Sequence, residues 1–272
     1  VDNKGSNNLW ECERKFGFTD NRYMMHHGHW KQLEDTAEGP RVIDYEKISV
    51  DGATPENYTT DFLADKTVDF INDHKDEPFC YMLSIPDPHG PNLVRAPYDT
   101  MYTDQLKAPA TMNKSTEDLP WWGQPHEVLK RGFDSDDMAQ YFGMVKCIDD
   151  NVGKILTAVR KAGLIEKTII LFTSDHGDMC YEHGRINKSI PFEASAKVPF
   201  VLYNPGQIEP GLVVNEALGC VDFMPTILGL MGVKAPGTEE GRNAAALFTD
   251  KVPAAWNDIA IFRSSGTAAG WL

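Results

Sequence analysis

Apolar positions recur at helical spacing in three stretches of the chain. Between Thr60 and His74, Leu63, Thr67, Phe70 and Ile71 fall on one face, and Thr59 or Thr60 is placed to cap the start. From about Asp136 to Ala162, Tyr141, Met144, Val145, Ile148, Val152, Ile155, Leu156 and Val159 make a second stripe, stopped by Gly163. Val221 to Met231 forms a third, with Asp222 as N-cap and Pro225 tolerated in the first turn. Between these lie continuous apolar runs. Pro78 to Ile85, ended by Pro86, has the length of a strand buried on both faces. Lys167 to Thr173 and Val198 to Tyr203 read as further strands, and Asp258 to Phe262 as a last one. The alternation predicts an α/β fold, a mostly parallel sheet flanked by helices. No internal repeat or low-complexity linker interrupts it, so residues 1–272 read as one domain.

Between the helices, residues 86–135 hold seven of the 17 prolines and little periodicity, which marks a long loop region of the kind that carries function. Residues 1–50 are polar, aromatic and irregular. His26, His27 and His29 cluster there, but their spacing fits neither a helical H-x-x-x-H pair nor a zinc finger, so they read as a surface loop. Five scattered cysteines form no C-x-x-C pair. No apolar run approaches the ~18 residues of a membrane span.

Charge narrows the partners. Forty acidic residues against 26 basic ones leave a formal net charge of −14. Such a surface repels phosphate backbones and argues against nucleic acid. An anionic substrate would need local cations to reverse the field.

Ligands of open α/β sheets bind beyond the carboxyl ends of strands. Two strong strands end in polar loops, Pro86-Asp87-Pro88-His89-Gly90-Pro91 and Thr173-Ser174-Asp175-His176-Gly177-Asp178. A carboxylate and an imidazole, Asp175 and His176, make a half-site for a divalent cation if the backbone turns there, which Gly177 permits. Prolines on both sides restrain His89. Arg185 and Lys188 in Glu182-His183-Gly184-Arg185-Ile186-Asn187-Lys188 supply two permanent cations.

These residues reach a resemblance. Phe172 through Met179, then Glu182-His183-Gly184-Arg185, Lys188 and Phe192 to Pro199 are similar to the sulfatase family of the alkaline-phosphatase superfamily. Three segments agree in order: the loop bearing His89, Tyr141 to Leu156 with Cys147 to Gly153, and Val221 to Leu228. The resemblance covers roughly residues 16–265. It implies an alkaline-phosphatase-like fold and a sulfuric ester hydrolase acting on a sulfated small molecule or carbohydrate, periplasmic or secreted. It assigns Asp175 and His176 to a divalent cation, usually calcium, with magnesium as the other candidate. It assigns His89 to sulfate contact and protonation of the leaving oxygen, and Lys188 to clamping the sulfate oxygens; Arg185, as a permanent cation in the same loop, is read beside them as a substrate-binding residue.

The family's nucleophile is a formylglycine made from Cys or Ser in a C/S-x-P-x-R motif. None of the five cysteines and no serine stands in that motif. The family's tandem carboxylates are not recognisable and its Gly-Lys-x-His stretch is absent; both belong upstream of Phe16-Gly17-Phe18-Thr19-Asp20. The chain therefore reads as the middle and later part of a sulfatase catalytic domain, short at both ends and inactive alone. A phosphodiesterase or phosphonate monoester hydrolase of the same superfamily and a non-catalytic anion-binding remnant are the alternatives.

Overall fold

The computed structural model describes residues 17–23, 29–37, 39–43, 47–115, 117, 119, 123, 132–249 and 256–260. The chain divides into two compact units, one of residues 1–107 and 133–164, the other of residues 108–132 and 165–272.

In the first unit a short hairpin, β1 (Leu33–Thr36) and β2 (Gly39–Val42), precedes helix α1 (Thr59–His74). Helix α1 packs on the long helix α2 (Ser135–Lys161). The expected apolar face of α1 forms, with Leu63, Thr67 and Ile71 buried. Its cap does not. Tyr58 stands at the N-cap, and the two threonines are used elsewhere: the Thr59 hydroxyl donates to the Trp30 carbonyl and that of Thr60 to Asp87. Helix α2 starts where Asp134 accepts from the Asp137 amide at 3.0 Å. It stops at Gly163, whose φ of +71° and amide bond to Arg160 suit glycine. Its buried face is turned from the expected stripe towards Gly143, Met144, Cys147 and Asn151, while Val145 is exposed. Gly143 explains the rotation, since a Cβ there would sit 2.5 Å from the Tyr98 carbonyl oxygen. The face is polar because Asp61 of α1 accepts a two-pronged bond from Arg95, 2.7 Å in each arm, and a third from Asn151.

Residues 78–85 run extended along α1, where Phe70 meets Phe79 and Tyr81. The expected strand buried on both faces is not seen. Phe79, Tyr81 and Leu83 are half-buried, the alternate side chains are exposed, Met82 to 70%, and no strand pairs with the run among the described residues. A strand is doubly buried only with neighbours on its edges and a layer on each face.

In the second unit β3 (Ile170–Thr173) pairs with β4 (Phe200–Tyr203), Ile170 opposite Tyr203 and Thr173 opposite Phe200. Both strands lie where the apolar runs place them. Helices α4 (Phe223–Leu230) and α5 (Ala245–Phe248) bury Leu230, Leu247 and Phe248 with Ile208, against Phe200 and Leu202 of β4. The other face leaves Phe172 and Val201 exposed. Asp222 precedes α4 but does not cap it through its side chain. It accepts instead from the amides of Gly219 and Arg242 and from the Arg242 guanidinium, tying residues 219–222 to 242. Residues 258–260 are not in a strand, and 261 and 262 lie outside the described residues.

The expected mostly parallel sheet is thus not formed by the described strands, since both pairings are antiparallel. A parallel pair needs a long crossover, usually a helix. Between β3 and β4 the longest helix is the four-residue α3 (Glu193–Ala196). No helix among the described residues is long and apolar enough to cross a membrane.

Candidate active site

In the second unit the chain leaves β3 at Thr173 and bends at Asp175. The Ser174 hydroxyl donates to the His176 carbonyl at 2.8 Å, and the His176 amide donates to Asp175 Oδ1 at 2.9 Å. This bend turns two successive side chains to the same side. Asp175 Oδ2 and His176 Nε2 come within 3.5 Å. His176 Nδ1 lies 2.8 Å from the Gly177 carbonyl. A carbonyl only accepts, so Nδ1 carries the hydrogen, and in the neutral ring Nε2 is the nitrogen left to accept or ligate. Asp175 is 83% exposed and His176 37%, so both donors are open to solvent.

Gly177 is required for a different reason from the expected turn. Its φ is not in the left-handed region. Its amide donates to the Ser195 carbonyl at 2.8 Å, and a Cβ would lie 2.0 Å from the Ala194 carbonyl oxygen. Close backbone contact demands glycine here.

After Asp178 the chain makes a loop closed by the Met179 amide on the Asn187 carbonyl at 2.7 Å, with Met179 fully buried. Five non-glycine residues of this loop, Cys180, Tyr181, His183, Asn187 and Ser189, have φ between 42° and 72°. Such a concentration of left-handed backbone is costly and marks a segment whose shape is imposed. Arg185 is 8% exposed, and burial lowers its pKa from the ordinary value, although a guanidinium remains charged. Lys188 is half-buried.

His89 belongs to the first unit. Its Nδ1 lies 2.9 Å from the Gly90 carbonyl, which leaves Nε2 as the outward atom. The loop is anchored by Asp87. One carboxylate oxygen accepts from Lys31 Nζ at 2.6 Å, and the other from the hydroxyls of Tyr58 and Thr60 at 2.6 and 2.7 Å. Lys31 is wholly buried and also reaches the His89 carbonyl and the Met144 sulfur. Burial, then the Asp87 charge, pushes the Tyr58 hydroxyl far above the usual phenol range and keeps it a donor. His29, in the cluster read as a surface loop, lies outside any helix or strand and is half-buried, with its ring stacked on His89, centroids 3.6 Å apart. His26 and His27 lie outside the described residues.

Burial, then the Asp61 charge, pushes the Cys147 thiol well up, so it stays protonated. Among the described residues no three His, Cys, Asp or Glu side chains gather to hold a metal. Asp175 and His176 are two donors, a half-site.

The sulfatase family model matches residues 2–233. The chain belongs to the sulfatase family. It is 30% identical over 223 residues to an arylsulfatase of Clostridium perfringens, an alignment covering 74% of this chain and 44% of that protein. The chain thus spans less than half the length of that curated sulfatase. Among solved sulfatase-like structures it is similar to the phosphonate monoester hydrolase of Agrobacterium radiobacter, with TM-score 0.66, 25% identity, and coverage of 79% of this chain and 47% of that one. It also shares the fold of BT4656, solved in complex with its substrate D-glucosamine-2-N,6-O-disulfate, with TM-score 0.63, 23% identity, and coverage of 74% and 54%. These likenesses place this member of the family in the alkaline-phosphatase-like α/β class.

Proposed function

We propose that the protein carrying this chain is a sulfuric ester hydrolase acting on a sulfated small molecule or glycan. The observation that carries the reading is the bend after β3 in a sulfatase-family chain, which sets Asp175 Oδ2 and His176 Nε2 3.5 Å apart. The Asp175 carboxylate suits a hard divalent cation, calcium or magnesium, and the His176 imidazole would add a nitrogen donor beside it. When bound, that cation supplies positive charge where the reaction builds negative charge.

The chain's own residues supply the rest. Lys188 clamps the sulfate oxygens and Arg185 adds fixed positive charge behind the same loop. Both offset the field of a molecule with net charge −14. His89 contacts the sulfate and, protonated, gives its Nε2 proton to the oxygen of the leaving alcohol. The Gly90 carbonyl supports both the charged ring and the Nδ1–H tautomer left afterwards. Hydrolysis then yields the alcohol and sulfate. The nucleophile is a formylglycine that these 272 residues do not encode in C/S-x-P-x-R form. Residues 1–272 are read as part of one catalytic domain, whose sheet gains parallel members beside the extended run at 78–85.

Hydrolysis of phosphonate monoesters is the second reading, favoured by the likeness to the Agrobacterium hydrolase. The two separate on purified complete protein offered 4-nitrophenyl sulfate and 4-nitrophenyl phenylphosphonate. Faster turnover of the sulfate supports the first reading and faster turnover of the phosphonate the second. Absence of both supports an anion-binding remnant.

A further inference from the structure

We propose that His29 is a positioning residue for His89, and that the buried Lys31–Asp87 ion pair sets the two rings in register. The proposal rests on the reading of His89 as the residue that protonates the leaving oxygen. Three observations carry it. First, the rings overlap nearly in parallel, 12° apart with centroids 3.6 Å apart, so His29 covers one face of the His89 imidazole and denies it rotation to that side. Second, the clamp is symmetric about the pair. Lys31 follows His29 by two residues, Asp87 precedes His89 by two, and the two side chains meet at 2.6 Å with Lys31 also on the His89 carbonyl. Third, the clamp is tied to a rigid element, because Tyr58 and Thr60 at the start of α1 hold the second oxygen of Asp87. With Nδ1 held at the Gly90 carbonyl and one ring face covered, His89 Nε2 has one direction in which to present its proton. A proton donor works only when so placed, since misplacement by about 1 Å costs on the order of a hundredfold.

Two measurements test this. In the complete protein, kcat is compared for phenyl sulfate, whose leaving phenolate needs a proton, and 4-nitrophenyl sulfate, whose leaving group needs little help. His29→Ala is expected to lower kcat for phenyl sulfate by about tenfold or more, within the range that general acid catalysis supplies. The loss for 4-nitrophenyl sulfate is expected to be under about threefold by the same principle. His29→Phe, which keeps a stacked ring, is expected to restore most of the loss. Equal losses for both substrates, or no rescue by Phe, overturn the proposal. Wild-type protein that hydrolyses neither ester contradicts the underlying reading instead. The second measurement needs no turnover. In the 272-residue chain, side-chain three-bond couplings of His89 report one rotamer in wild type and in His29→Phe, and averaging among rotamers in His29→Ala. Unchanged couplings in His29→Ala overturn the proposal.

Discussion

A single carbonyl decides which atom of His176 is open to a ligand. With Nδ1 held by Gly177, Nε2 is left beside the Asp175 carboxylate, and removal of either side chain leaves one donor. Calcium titration by calorimetry on the complete protein is expected to show binding that Asp175→Asn weakens by about tenfold or more, since carboxylate charge sets such affinities. Gly177→Ala is expected to destabilise the second unit by about 1–3 kcal/mol, the range for overpacking, because its Cβ meets the Ala194 carbonyl. Urea melts followed by tryptophan fluorescence check this. In the first unit, Asp87→Ala strands Lys31 as a buried, uncompensated cation, and a loss of about 3–5 kcal/mol is expected in the same assay. Asp175, His176, His89, Arg185 and Lys188 are candidates that the sequence offers because each stands in a short motif. Lys31 and His29 are not. A lysine in a polar, irregular segment has the look of a solvated side chain, and its partner Asp87 is 56 residues away.

At the scale of elements, what is local was legible and what is paired was not. Helices α1 and α2 follow from spacing within each segment, and β3 and β4 from their apolar runs. Strand direction, edge partners and the rotation of α2 depend on residues far apart, such as Gly143 against Tyr98. Caps were misplaced for the same reason, since Thr60 and Asp222 have better offers from distant groups. Asp222 makes this testable. Burial pushes its pKa up, but the amides of Arg242 and Gly219 and the Arg242 guanidinium outweigh it and hold the carboxyl below its usual range. A depressed carboxyl adds stability that is present above its unfolded value of ~4 and is lost as pH falls through the folded value. Asp222→Asn is therefore expected to destabilise the protein at pH 7 and to flatten the acid limb of a plot of melting temperature against pH.

For the whole molecule, a charge of −14 disfavours nucleic acid, and the proposed reading requires Arg185, Lys188 and a cation at Asp175 and His176 to reverse that field locally for an anionic ester. Each unit has its own core, yet apolar side chains stay uncovered on the outer face of β3 and β4 and at Met82. The 272-residue chain by itself is expected not to release 4-nitrophenol from its sulfate ester, as an assay with and without calcium would show. The decisive measurement is the same assay on the complete protein, as wild type and as Asp175→Asn, with and without a calcium chelator. Metal-dependent turnover in wild type that falls by about a hundredfold or more in the variant, a loss of the size expected when electrostatic stabilisation of the transition state is removed, is the predicted result. Full activity in Asp175→Asn, or phosphonate turnover with none of the sulfate, would contradict it.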